Sequence, residues 1–182
     1  MRTSLSGKRI AILVEDNFRD PDVTVALRRL RAAGASVTLV GSGMRHAYRG
    51  ERGTTVVADC SVAGTRPDDL DAVLIPAGEA LDRLRESPEV ISLLQGAHAA
   101  GKVVAAFSQA VQLLVEGNML TGLARQAASL DTGVLSSSLS RRLGLVADGN
   151  VIAARDASSP EFYVALRQRL KQTEGPGSAR AL

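Results

Sequence analysis

Val103-Val104-Ala105-Ala106-Phe107-Ser108-Gln109-Ala110-Val111-Gln112-Leu113-Leu114 decides the fold of this chain. Its first half is an unbroken apolar run, which is how a strand buried on both faces reads. Its second half has helical spacing. The turn between them is sharp and Ser108 sits on it, lifted above the end of a sheet where a helix begins. The window 106–110 mimics a nucleophile elbow with alanine at both glycine positions, so the cramped corner geometry is expected to survive.

The same alternation extends outward. Residues 8–14 form another continuous apolar run, followed by a helical pattern over 22–33 in which Val23, Ala26, Leu27 and Leu30 share a face. Asp20 is the expected N-cap, Pro21 fits the first turn and Gly34 closes the helix. Residues 36–41 read as a strand, 48–59 as a small β excursion, 71–76 as a third buried strand and 102–107 as the fourth. Helices are expected over 87–100, with Ser87 as N-cap and Pro88 next, then over 109–116, 131–143 and 159–171. Short strands at 144–147 and 150–154 flank the turn Asp148-Gly149. This pattern predicts an α/β fold: a mostly parallel sheet covered by helices on both faces. It occupies one domain over 1–172, with 173–182 expected to be a disordered tail. Ligands of such sheets lie at the carboxyl ends of the strands, which selects the loops 15–20 and 76–83 and the Ser108 corner.

Composition narrows the function. The 182 residues are 45% hydrophobic but only 3% aromatic, without Trp, so the core is aliphatic. The net charge of +3 comes from 22 Lys+Arg against 19 Asp+Glu, and no basic stripe interleaved with aromatics argues for nucleic acid. Cys60 is the lone cysteine, so neither an intrachain disulfide nor a thiolate-rich metal site is available. It is read as a small, partly buried hydrophobe. No apolar run reaches the ~20 residues of a membrane span, and a cytoplasmic protein is expected. Gly41-Ser42-Gly43 lacks the rest of a dinucleotide fingerprint. Glu15, Asp16 and Asp20 read as a solvated acidic loop rather than a metal cluster, and no cofactor or metal is expected.

Taken in order and spacing, several landmarks resemble the ThiJ/PfpI family, and most closely its PfpI-type branch within the class I glutamine amidotransferase-like superfamily. They are Lys8-Arg9-Ile10-Ala11-Ile12-Leu13-Val14-Glu15-Asp16-Asn17-Phe18-Arg19-Asp20, Tyr48-Arg49-Gly50-Glu51-Arg52-Gly53, Asp69-Leu70-Asp71-Ala72-Val73-Leu74-Ile75-Pro76-Ala77-Gly78, Gly101-Lys102-Val103-Val104-Ala105-Ala106 and Asp148-Gly149-Asn150-Val151-Ile152-Ala153-Ala154-Arg155. The resemblance covers about residues 8–170. It implies a flavodoxin-like three-layer sandwich and a homodimer or larger assembly. Active members carry a cysteine on the corner, followed by His and Gly, with a first-loop glutamate bonded to the cysteine. Here those positions hold Ser108, Gln109, Ala110 and Arg19. The Pro-Gly-Gly loop has become Pro76-Ala77-Gly78, and Asp82 stands where some members supply an acid to a neighbouring subunit. Ser136 and Ser137 replace an Asp pair of such members.

These departures change the chemistry. A cysteine ionises near neutral pH, whereas a serine hydroxyl needs an adjacent general base. Gln109 cannot take a proton. His46 is read as a loop residue far from the corner, and His98 as a solvated or capping residue near Gly101. Ser108 is therefore read as a helix N-cap in preference to a nucleophile. Arg19 inverts the charge of the first loop; it either makes the pocket receptive to a carboxylate, phosphate or sulfate, or turns to solvent or to Asp16 or Asp20. The expected protein is a non-catalytic, anion-binding or stress-associated module, with Arg19, Gln109, Gly78 and Asp82 as binding residues. The alternative is a hydrolase or lyase using Ser108; a family-like protease or glyoxalase/deglycase activity ranks below it.

Overall fold

Strict two-residue alternation along the central strands splits the core in two. Ile10, Ile12, Val14, Ala72, Leu74, Val103, Ala105 and Phe107 face one way, whereas Ala11, Leu13, Val73, Ile75, Val104 and Ala106 face the other. Both sets are buried because both faces carry helices, which is why these strands read as continuous apolar runs. The computed structural model describes residues 4–43, 45–120 and 145–173. Among them a seven-stranded sheet has the order β5-β2-β1-β6-β7-β9-β8. Its strands are β1 (Arg9–Val14), β2 (Ser36–Gly41), β5 (Cys60–Ser61), β6 (Ala72–Ile75), β7 (Val103–Phe107), β8 (Leu145–Asp148) and β9 (Val151–Ala154). All pairings are parallel except β8 with β9. Helices α1 (Asp20–Ala32) and α5 (Pro160–Gln172) cover one face; α2 (Ala80–Glu86), α3 (Pro88–Ala99) and α4 (Val111–Glu116) cover the other.

The chain steps from β1 to β2 on one side and from β6 to β7 on the other. The reversal lies between β1 and β6, so the loops after these strands form the crevice where such sheets take ligands. A separate hairpin, β3 (Ala47–Arg49) and β4 (Thr55–Val57), realises the expected β excursion. The first loop holds it down: Asn17 N–H donates to the Arg49 carbonyl and Glu51 N–H to that of Phe18. The Asp20 carboxylate accepts from Arg52 N–H at 2.9 Å and Thr54 N–H at 3.0 Å. Gly50 permits this approach, since a Cβ there would lie 2.5 Å from Asp20 Oδ2.

Ser87 caps α3 by accepting from Val90 N–H, with Pro88 following, as the spacing predicts. Other expectations are corrected. Asp20 is not the N-cap of α1 but its first residue; its side chain is spent on the hairpin and Arg19 occupies the cap without a side-chain bond. Helix α2 replaces an expected loop, its Ala80, Leu81 and Leu84 buried on one side. Cys60 is exposed, because β5 is an edge strand paired only with β2. The helix expected over 131–143, Ser136, Ser137 and the tail from residue 174 lie outside the described residues. No helix of the described residues is long and apolar enough to cross a membrane.

Burial opposes ionisation of Asp20, but hydrogen bonds from Thr54 and Arg52 outweigh it and hold its carboxyl below the usual range. A depressed acid stabilises the fold above its unfolded pKa, and that stability is lost as pH falls through the folded value. Asp20→Ala is expected to cost about 1–3 kcal/mol at neutral pH, with less loss in acid. Urea unfolding at neutral and acid pH measures this, and hydrogen exchange should localise the loosening to the hairpin.

Candidate functional site

Strand β7 delivers its chain end between β6 and β9, and Ser108 follows. Phe107 fixes that end by an edge-to-face contact with Phe162 of α5, ring centroids 4.9 Å apart. Ser108 then takes φ +49°, the left-handed region that a residue with a side chain avoids. The N-cap reading is therefore corrected. The residue is not in the extended conformation from which a cap reaches later amides, and the cap positions of this turn and of the helix after it fall on Phe107 and Ala110. Residues 108–110 form a single 3₁₀ turn before the six-residue α4. Ser108 is half-buried, Gln109 exposed and Ala110 buried.

The loops after β1 and β6 are laced together beside this corner. Phe18 and Gly78 form an antiparallel bridge, Arg19 N–H donates to the Ala77 carbonyl at 2.7 Å, and Ala80 N–H donates to that of Asn17. Gly78 has φ +115°, and a Cβ there would fall 2.4 Å from the Asn17 carbonyl oxygen. Arg19 is half-buried and has no hydrogen-bonded or ion-paired side-chain partner among the described residues. The pairings expected as its alternative do not form: Asp16 binds Arg45 at 2.6 Å and Arg83 at 3.6 Å, and Asp20 holds the hairpin.

The acidic loop is not solvated as expected, because its charges have protein partners. Glu15 is only 9% exposed. Its carboxylate accepts from the Ser42 hydroxyl, from Asp16 N–H and from Arg83 at 3.3 Å. Among the described residues no three His, Cys, Asp or Glu side chains converge as a metal site. Asp82 lies on the outer side of α2, 82% exposed, with Arg85 at 4.0 Å. Arg85 reaches α4 through Gln112 at 3.1 Å and Glu116 at 3.0 Å.

Asp22 was missed by sequence reasoning. It is fully buried, and its two oxygens accept from Ala77 N–H at 3.1 Å and Ala157 N–H at 3.2 Å. Those amides belong to the loops after β6 and β9, the strands on either side of β7. Burial pushes its carboxyl up, against the two amide bonds and Arg19. A signal existed: Asp22, Ala26 and Leu30 share one helical stripe, so an acid stood at a core position.

Neither histidine helps Ser108. His98 is at the end of α3, before β7, so the strand's length of roughly 16 Å separates it from the corner. It is half-buried, its Nδ1 is buried without a partner among the described residues, and its carbonyl accepts from Gly101 N–H and from Asn150. His46 is exposed beside β3, next to β2, with β1 and β6 intervening before β7.

Comparison with known proteins adds to this geometry. The DJ-1/PfpI family pattern matches residues 8–169. The chain is 28% identical to "Deglycase PYRAB04690" of Pyrococcus abyssi, over 90% of this chain and 98% of that protein. It is 29% identical to "General stress protein 18" of Bacillus subtilis, over 64% of this chain and 68% of that one. A two-domain protein from Anabaena variabilis, with DJ-1/ThiJ/PfpI-like and ferritin-like domains, superimposes with a TM-score of 0.76 at 32% identity. That match covers 90% of this chain and 48% of the Anabaena chain, so this chain spans about half of it.

The strain at Ser108 is testable without a ligand. Ser108→Gly and Ser108→Ala both remove the hydroxyl, but only glycine relieves the positive φ. The glycine variant is expected to be more stable than the alanine variant by about 1 kcal/mol in urea unfolding. Equal stabilities would remove the strained corner.

Proposed function

The chain belongs to the DJ-1/PfpI family, and we propose that it is a thiol-independent member that binds a small anion around Ser108. One observation carries the reading: Arg19 stands half-buried on the loop beside the corner with no acid bound to it among the described residues. By the resemblance of its motifs, the family's cysteine, histidine and glutamate positions correspond here to Ser108, Gln109 and Arg19. Together these replace a thiolate site by a hydroxyl, an amide and a guanidinium, groups that donate hydrogen bonds to a carboxylate, phosphate or sulfate. The six-residue α4 adds little of its own, so the guanidinium supplies most of the attraction. Arg83 is already committed to Glu15 and Asp16.

A second reading keeps Ser108 as the nucleophile of a hydrolase or lyase. Its support is the φ of +49°, which holds the hydroxyl as a nucleophile corner does. The similarity to a protein named as a deglycase keeps methylglyoxal among the substrates to test. A cytoplasmic, stress-associated homodimer or larger assembly fits the reading, with exposed Asp82 turned toward a neighbouring subunit's pocket; light scattering that finds a strict monomer removes Asp82 from it.

Small carboxylates and phosphate are expected to raise the melting temperature beyond chloride at equal ionic strength, and Arg19→Ala is expected to abolish the difference. A gain that persists in Arg19→Ala overturns the anion reading. Turnover of methylglyoxal or a generic ester that disappears in Ser108→Ala overturns the non-catalytic reading in favour of the second.

A further inference from the structure

We propose that Asp22 is the positioning residue of the Ser108 pocket and that its charge sets how strongly the pocket holds an anion. The inference rests on the anion-binding reading above and adds its regulation. The geometry is that of a brace. β6 and β9 are the two neighbours of β7, and one carboxylate holds the first residues of interest in both following loops, Ala77 and Ala157. Each loop is held again from its far side. Ala77 accepts from Arg19 N–H, and the Ala157 carbonyl accepts from the Tyr163 hydroxyl at 2.7 Å. Asp22 itself is anchored through its N–H to the Arg19 carbonyl at 3.0 Å. The corner between the loops thus has walls set by one buried group.

That group also feels the field of the Arg19 guanidinium. The charged and titratable groups around Asp22 are Arg19 at the start of α1, Asp156 in the loop after β9, and Tyr163 on α5, over which Arg29 of α1 is stacked at 5.2 Å. Arg19 favours the ionised carboxylate and Asp156 disfavours it. An ionised Asp22 neutralises part of the Arg19 field; a protonated Asp22 keeps at least one acceptor oxygen and leaves the guanidinium to the ligand. Anion affinity therefore rises as pH falls through the Asp22 titration, which burial places above the ordinary carboxylate value.

Sulfate is the probe, because its own charge is constant across this range. Calorimetric titration of the full chain is expected to give sulfate affinity about tenfold higher on the acid side of the Asp22 titration than on its alkaline side. In Asp22→Asn the affinity is expected to stay near the wild-type acid value at every pH. Binding that Arg19→Ala abolishes, but whose pH profile is the same in wild type and Asp22→Asn, overturns this inference alone. Absence of sulfate binding to the wild type at every pH overturns it together with the anion reading. Asn at position 22 loses one of the two amide bonds, so a wild-type measurement stands beside the variant. By linkage, saturating sulfate must raise the Asp22 carboxyl titration seen by carbon-13 NMR. An Asp22 titration indifferent to sulfate overturns the inference.

Discussion

The backbone lacing between the loops after β1 and β6 is the constraint on which the site depends. Parallel strands leave their carboxyl ends open where the winding reverses, and that opening is usually the ligand crevice. Here the Phe18–Gly78 bridge and the Arg19–Ala77 bond draw the two loops together. Gly78 is required for this contact, because no side chain fits against the Asn17 carbonyl. The lacing fixes the backbone of Arg19 against the loop after β6, the strand next to β7. The first turn of α1, which follows this loop, carries Asp20 and Asp22, and it thereby anchors the hairpin on one side and the β9 loop on the other.

Two acids two residues apart meet opposite fates. Asp20 meets amides of a turn and its carboxyl is pushed down; Asp22 is buried under the loops and its carboxyl is pushed up. The first favours an ionised anchor for the hairpin. The second is costly as an ion, and the two amide bonds and Arg19 only partly offset that cost. A raised acid contributes stability below its unfolded pKa that is lost as pH rises through the folded value. Asp22 therefore carries an electrostatic cost between the loops that flank β7, as Ser108 at the end of β7 carries a backbone one.

The fold was legible where burial on both faces writes continuous apolar runs. Residues 8–14, 71–76 and 102–107 contain β1, β6 and β7, and Ser87-Pro88 announced α3 because cap and first turn need those residue types. The corner at Ser108 was legible from the small residues around it. Short α2 was not, since one stripe of Ala80, Leu81 and Leu84 after a proline-glycine turn gives too little periodicity. Cys60 was placed too deep because residue type does not reveal which strand lies at an edge. Asp20 was taken for a cap because local sequence cannot see a hairpin thirty residues on. The partners of Glu15 and Asp16 are invisible locally for the same reason: Ser42 and Arg45 arrive from the loop after β2 and Arg83 from α2.

On the proposed reading the nucleophile corner is retained and Arg19 inverts its polarity. A crystal structure of the protein grown with sulfate or acetate in place of other anions tests it most directly. The predicted result is an anion contacted by both the Arg19 guanidinium and the Ser108 hydroxyl, with Ser108 still at positive φ. An anion-free pocket at saturating concentration, or Arg19 paired with a carboxylate of the chain, would contradict it.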